Sequence, residues 1–167
     1  MDLEVRNYDT NGYEKYILGS AEVIGLMCLR IFMEGNEQGY EALKPYAMKL
    51  GSAFQKINFL RDFKEDKEGL GRIYFPLLQS NNLNAETKHE IEMDILADLK
   101  TGYEGIHKLP KEVRLGVYLA YIYYSKLLHK IRNLPAQAII ENRIRLSNKR
   151  KYFLFLTSYF RHSFNLV

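Results

Sequence analysis

Residues 51–66 read Gly51-Ser52-Ala53-Phe54-Gln55-Lys56-Ile57-Asn58-Phe59-Leu60-Arg61-Asp62-Phe63-Lys64-Glu65-Asp66. Asn58, Asp62 and Asp66 stand four apart. At 3.6 residues per turn this spacing stacks an amide and two carboxylates on one helical face, about 6 Å of rise apart. Gln55 and Gly51 extend the stripe backward by steps of three and four. Such steps normally mark the apolar seam of a buried helix. Here the seam is polar, while Phe54, Ile57, Phe59, Leu60 and Phe63 cover the other faces. A polar stripe on so apolar a helix fits a cavity that holds something charged. Oxygen donors without His or Cys nearby suit a hard cation such as Mg²⁺. The competing reading is a solvated face whose carboxylates find i,i+4 partners.

The chain has 167 residues, enough for one domain spanning 1–167. Hydrophobic residues make up 47% of it, so a core can be buried and disorder is disfavoured. The single cysteine, Cys28, forbids an intrachain disulfide and fits a reducing compartment. It lies in the apolar run 24–29, where core packing is expected of it. The net charge of +4, from 24 basic and 20 acidic residues, is too small to argue for nucleic acid. Residues 143–151 (Arg-Ile-Arg-Leu-Ser-Asn-Lys-Arg-Lys) concentrate five of the positive charges, a cluster suited to a diphosphate, an anionic membrane surface or water. The polar first ten residues do not resemble a signal peptide. No apolar run approaches the length of a membrane span. A cytoplasmic protein is expected, at most peripheral to a membrane.

Helical periodicity dominates. Helices are predicted over residues 12–33, from Pro45 to Asp66, and over 84–109, 110–131, 135–146 and 149–161. Pro45, Pro110 and Pro135 open their helices and Asn84 or Asn82 caps the third. Residues 34–39 read as loop, Gly69 and Gly71 as breakers, and 73–76 as extended. No alternation of strand type, repeat or low-complexity tract intervenes, so the fold class is all-α, a bundle of about six helices. Asp94 and Asp98, also four apart, read as a solvated face. Thirteen tyrosines and nine phenylalanines imply an aromatic core or a pocket whose ring faces stabilise a cation.

The stretch 55–66, followed by Gly71-Arg72-Ile73-Tyr74-Phe75-Pro76, resembles the second aspartate-rich signature of the squalene/phytoene synthase family. Tyr16-Ile17-Leu18-Gly19-Ser20-Ala21-Glu22-Val23-Ile24-Gly25 is similar to that family's tyrosine-plus-small-residue helix. Ala120-Tyr121-Ile122-Tyr123-Tyr124 and Asn142-Arg143-Ile144-Arg145 fall where the family has its late helix and final basic segment. The resemblance covers nearly the whole chain and is nearest to the bacterial phytoene synthase type.

It implies an all-α isoprenoid synthase fold and the Mg²⁺-dependent, head-to-head joining of two prenyl diphosphates, with Mn²⁺ as the alternative ion. Asn58, Asp62 and Asp66 would be metal ligands, with Asp62 and Asp66 catalytic beside Tyr16, which would steer cation and proton chemistry. Gln55, Arg61, Arg72, Tyr74, Tyr124 and Arg143 would contact the diphosphate or substrate. For Arg61 and Arg72 a helix-surface ion pair is the alternative. The phytoene branch, joining two geranylgeranyl diphosphates in carotenoid biosynthesis, needs no nicotinamide. The squalene and dehydrosqualene branches, from farnesyl diphosphate, are the alternative enzymes. The family's other aspartate-rich segment has no counterpart here. Asp2 and Glu4 do not replace it, and Met1-Asp2-Leu3 resembles the middle of a full enzyme. The chain is therefore expected to supply one wall of the site, resembling the C-terminal portion of a synthase. Uncovered apolar faces should then favour self-association or pairing with an N-terminal half, and a non-catalytic binding remnant is the alternative function. Glu22 places a charge where the family has a small residue. Lys149-Arg150-Lys151-Tyr152-Phe153-Leu154-Phe155-Leu156 mixes basic and apolar groups as an interfacial helix does, although core packing of a terminal helix ranks first.

Overall fold

The structure, a computed structural model, describes residues 8–163, so Asp2 and Glu4 lie outside it. Every regular element among these residues is helical. The order is α1 (Thr10–Ile17), a π-turn (Leu18–Glu22), α2 (Val23–Phe32), α3 (Glu37–Arg61), α4 (Phe63–Gly69), α5 (Leu77–Ser80), α6 (Ala85–Ile106), α7 (Lys111–Arg132), α8 (Ala136–Glu141) and α9 (Asn148–Ser163).

The long α3 organises the rest. It packs along α6 on one side, against the π-turn and α2 on another, and against α7. Its Ala53, Ile57, Phe59 and Leu60 meet Ile91, Ile95 and Leu99 of α6 and Leu127, Leu128 and Ile131 of α7 in one buried core. A second, smaller core joins Leu29 and Met33 to Tyr40, Leu43 and Leu109.

Pro45 does not open α3. The helix begins two turns earlier, because Asn36 caps it by accepting a hydrogen bond from the Gly39 N–H at 2.9 Å. Tyr40 and Leu43 are then buried in the smaller core. An interior proline costs about 3 kcal/mol in general; the cap and these two buried side chains offset it here. The helix predicted over 12–33 is present but carries a π-turn at Leu18–Glu22. Asn84 caps α6 with a box closed by Thr87. The helix opened by Pro135 ends at Glu141 rather than at residue 146, since Asn142 is extended. Ile144 and Leu146 are buried while Arg145 and Ser147 are exposed, an alternation that belongs to extended chain.

The approach of the first helical run to α3 is very close. A Cβ on Gly51 would lie 2.7 Å from the backbone oxygen of Ala21, and one on Gly25 would lie 2.7 Å from that of Ala47. Backbone cannot yield as a flexible side chain does. Gly51 therefore serves as a contact surface, extending the polar stripe only by its position.

Asp98 overturns the solvated-face reading of the Asp94–Asp98 pair. Its carboxylate is buried between α3 and α6, accepting from Lys56 Nζ at 2.7 Å and Ser52 Oγ at 3.0 Å, with Lys49 Nζ at 2.8 Å. Asp94 stays exposed but also accepts from Lys56, at 2.6 Å. Burial works against the Asp98 charge; the hydrogen bonds of Lys49 and Lys56 outweigh it and hold its pKa below the ordinary carboxylate value. Cys28 is corrected as well. It is exposed, because α2 turns that side to a cavity and to solvent instead of the core.

Two outcomes follow for stability. Gly51→Ala should lower it by about 1–3 kcal/mol, the usual cost of overpacking, seen as a fall in thermal midpoint with the far-UV spectrum kept. Asp98→Ala should cost about 3 kcal/mol or more, since Lys56 loses a buried partner. A depressed carboxylate pKa stabilises above about pH 4 and ceases to do so as pH falls through its folded value. The midpoint of Asp98→Asn should therefore fall less steeply below pH 4 than that of the parent chain.

Candidate functional site

The polar stripe crosses a bend. At Asp62 the backbone leaves α3 (φ −100°, ψ 9°) and re-enters a helix at Phe63. The hydrogen-bond ladder continues through the bend: Asp62 N–H donates to Asn58 O at 2.9 Å, and Asp66 N–H to Asp62 O at 2.9 Å. The predicted single helix to Asp66 is thus two helices that keep i,i+4 register, which leaves the stripe intact.

Around Asp62 the charges converge. Arg61 donates to it from Nε at 3.0 Å and Nη2 at 2.5 Å. Arg143 Nε lies 2.7 Å from Asp62 Oδ1, and its Nη1 donates to Glu65 Oε2 at 2.7 Å. The chain brings Arg143 there because Ile144 N–H donates to Arg61 O at 3.2 Å, tying the extended segment after α8 across the end of α3. Glu65 belongs to this cluster although the sequence reading passed over it. Its spacing of three from Asp62 was the available signal.

Two groups in the stripe stand apart from these pairs. Asn58 Oδ1 is buried and has no hydrogen-bond donor among the described residues; a buried acceptor left so costs about 1–3 kcal/mol. Burial pushes the Asp66 carboxyl up, the charges of Asp62 and Glu65 push it the same way, and Arg72 and Arg143 oppose them without prevailing. An oxygen without a donor, in one stripe with a disfavoured negative charge two turns further on, has the chemistry of a cation site. Among the described residues no three His, Cys, Asp or Glu side chains converge to hold a metal by themselves. Any ion here would draw on Asn58, Asp62 and Asp66 together with oxygens from a ligand or water.

Tyr16 lies in an adjacent aromatic nest. Its ring is 5.1 Å from Tyr74 and 5.9 Å from Phe59, and Phe59 stacks on Tyr74 at 4.0 Å. Burial raises the Tyr16 pKa well above the ordinary phenol value, and its hydrogen bond with Tyr74 adds to this. It is a phenol at any physiological pH. Arg72 is buried, hydrogen-bonds Tyr74, and its N–H donates to Asp66 O at 2.9 Å. Its position is therefore not that of a helix-surface ion pair. Arg61 does form a local ion pair, with its neighbour Asp62.

Beyond Asn58 the stripe opens onto a cavity of about 630 Å³ between α2, α3, α6 and α7. Gln55 and Gly51 line it, with Phe54, Leu50, Val117 and Ala120. Ser20, one turn after Tyr16, also lines it and carries a buried hydroxyl without a partner among the described residues. Tyr124 stacks on Phe54 with centroids 4.2 Å apart and reaches Arg61 electrostatically. Tyr124 thus sits between the charged cluster and the apolar space. Asn58, Asp62 and Asp66 continue the line of Gln55 without themselves lining the cavity. Glu22, in the π-turn, is half-buried, and burial raises its pKa.

Residues 1–86 match the family model of squalene/phytoene synthase. The chain belongs to the squalene/phytoene synthase family. The matched residues carry Tyr16, the whole polar stripe, Arg72 and Tyr74, and stop at the start of α6. In this squalene/phytoene synthase family member the places of Tyr124 and Arg143 rest on the fold alone. The chain is also 36% identical over 88 residues to the 4,4'-diapophytoene synthase of Staphylococcus haemolyticus (strain JCSC1435). That stretch is 52% of this chain and spans 29% of the relative's length. The all-α isoprenoid synthase class accords with the helical architecture.

Asp66→Asn tests the electrostatics of the stripe. A carboxyl with a raised folded pKa weakens the fold as pH rises through that value. The variant should melt higher than the parent at pH 7 and equally with it at pH 3. A lower midpoint at pH 7 would show that the parent stabilises the Asp66 charge.

Proposed function

We propose that the chain takes part in Mg²⁺-dependent head-to-head prenyl transfer, contributing one wall of the site at which two prenyl diphosphates are joined. The observation that carries this reading is the stripe Gln55–Asn58–Asp62–Asp66, running from an apolar cavity to a cluster of carboxylates and guanidiniums. Its two ends suit the two halves of a prenyl diphosphate, the hydrocarbon tail and the charged head.

Asn58, Asp62 and Asp66 would hold Mg²⁺, with Mn²⁺ as the alternative. Bound there, the ion supplies Lewis-acid stabilisation of the departing diphosphate. Mg²⁺ keeps several positions for water and phosphate oxygens, so one amide and two carboxylates suffice as its protein share. Arg61 and Arg143 bind diphosphate by exchanging their present carboxylate partners for phosphate oxygens, a planar two-point contact that guanidinium makes well. That exchange leaves Asp62 available as a ligand. Arg72 keeps Tyr74 in place, and Tyr16 presents a neutral, electron-rich ring and a phenolic proton to the reacting carbons. Gln55 orients the head at the cavity mouth. Phe54 and Tyr124 bound the tail.

Two twenty-carbon substrates would give phytoene, a step of carotenoid biosynthesis that needs no nicotinamide. That the Staphylococcus relative is a 4,4'-diapophytoene synthase favours a second reading, fifteen-carbon farnesyl diphosphate and a thirty-carbon diapophytoene product. A non-catalytic prenyl diphosphate-binding module is the reading from a different class. The deciding experiment incubates the chain with Mg²⁺ and each substrate. It is run alone and with a polypeptide that supplies the rest of the relative's length. Forty-carbon product supports the first reading and thirty-carbon product the second; neither, under both conditions, leaves no catalytic role. Calorimetric titration of Mg²⁺ with diphosphate separates the binding module. Asp62→Asn and Asp66→Asn should each weaken affinity about 10- to 100-fold, the range typical of disturbed metal sites. Unchanged affinity would place the stripe outside the ligand's reach.

A further inference from the structure

Very little material on α7 separates two cavities. The larger, of about 630 Å³, lies where α7 faces α2, α3 and α6. The smaller, of about 360 Å³, lies between Leu119, Tyr123 and Tyr124 of α7 and Lys151, Leu154 and Phe155 of α9. Gly116 and Ala120 line both. They stand four apart, one above the other on a single row of the helix. Tyr124 is the next residue of that row. Its stack on Phe54, with centroids 4.2 Å apart, closes the row toward the charged cluster. Along this row the partition is one methyl group and one turn of bare backbone.

A glycine inside a helix weakens it. Gly25 and Gly51 abut backbone, Gly102 abuts Leu50 and Gly105 abuts Tyr46, so close packing accounts for them. Gly116 has no such neighbour: a Cβ there would meet no heavy atom within 4 Å. What its missing side chain preserves is open space between the cavities. The walls on both sides suit hydrocarbon. Among the described residues Glu112 is the one charged side chain lining the larger cavity and Lys151 the one lining the smaller. Lys151 is turned to the Tyr123 ring, 5.9 Å from its centroid. Phe54 lines the larger cavity next to Gln55 and touches Tyr124, so the head end of that cavity and the opening at Ala120 are one turn of α7 apart.

We propose that the smaller cavity is a branch of the site that receives the far end of a prenyl tail over Gly116 and Ala120, so that the chain takes twenty-carbon tails in preference to fifteen-carbon ones. This rests on the reading of the stripe as the place of a prenyl diphosphate head. A tail that ends within the larger cavity leaves the branch to water between apolar walls. A tail one isoprene unit longer fills it, and each buried methylene strengthens binding roughly fourfold. Gly116 is then a specificity-determining residue: any side chain there stands in the passage.

The test is equilibrium binding of radiolabelled farnesol and geranylgeraniol to the full chain. These are the fifteen- and twenty-carbon alcohols, which need neither diphosphate nor Mg²⁺. The parent should hold geranylgeraniol at least about tenfold more tightly than farnesol. Greater hydrophobicity alone gives an advantage of that sign, so two variants locate it. Gly116→Leu plugs the passage, and Leu119→Phe fills the smaller cavity alone. Each should bring the two alcohols to within about twofold of one another by weakening geranylgeraniol, with farnesol binding retained. The thermal midpoint of Gly116→Leu should equal or exceed that of the parent, because leucine outranks glycine in a helix. Equal binding of the alcohols by the parent, no binding of either, an advantage kept by either variant, or equal losses of both alcohols overturns the proposal. Titration of inorganic diphosphate with Mg²⁺ reads the head end separately. Its failure with the length dependence intact would overturn the diphosphate reading and leave the branch standing.

Discussion

Backbone-to-backbone contact between α3 and the run that precedes it is the constraint on which the molecule depends. Gly51 lies against Ala21 and Gly25 against Ala47 with no room for a side chain at either glycine. Two helices this close share a rigid wall. From that wall Tyr16 and Ser20 on one run and Gln55 and Asn58 on the other reach the same region. Were the helices a side chain further apart, the aromatic nest around Tyr74 and the mouth of the cavity would separate.

Opposite that seam, α3 is held by charge rather than by small residues. Lys56, Lys49, Ser52 and Asp98 form a buried polar lock onto α6. A buried ion pair is weak evidence of net stability, because desolvation consumes most of the attraction. Its clearer effect is geometric. With Lys56 committed to α6, the stripe beginning at Gln55 is kept on the other side of the helix. The same residue type plays opposite parts on two helices: Asp98 of α6 is paired with Lys49 and Lys56, while Asp66 of α4 is crowded by Asp62 and Glu65. Satisfied and unsatisfied carboxylates on one scaffold separate the helix-to-helix lock from the stripe proposed above to bind a ligand.

The exposed apolar surfaces have a pattern as well. Ile24, Met27 and Ile31 project from α2, and a row of aromatics from α9. The first surface borders the larger cavity; the second has Lys149 and Arg150 at its N-terminal end, while Lys151 turns inward to the Tyr123 ring. Apolar area is common to both, and charge distinguishes them.

Much of this was legible along the chain. The 3.6-residue period announced an all-helical fold, Asn84 announced the start of α6, and the four-residue steps announced the stripe, because each depends on neighbours within a turn or two. Local reading erred where a distant partner outweighed the local pattern. Pro45 sits inside α3 since Asn36 and the smaller core hold the turns before it. Asp98 is buried because Lys49 and Lys56 meet it across a helix interface, and Cys28 faces outward because none of the described elements covers α2 there. The placement of Arg143 beside Asp62 and Glu65 is the furthest such case, the arginine and Glu65 standing 78 positions apart. One-dimensional order set which side chains share a face, since helical geometry is local. Which faces meet, and which remain bare, depended on packing and charge pairing between segments far apart in the chain, for which no spacing rule exists.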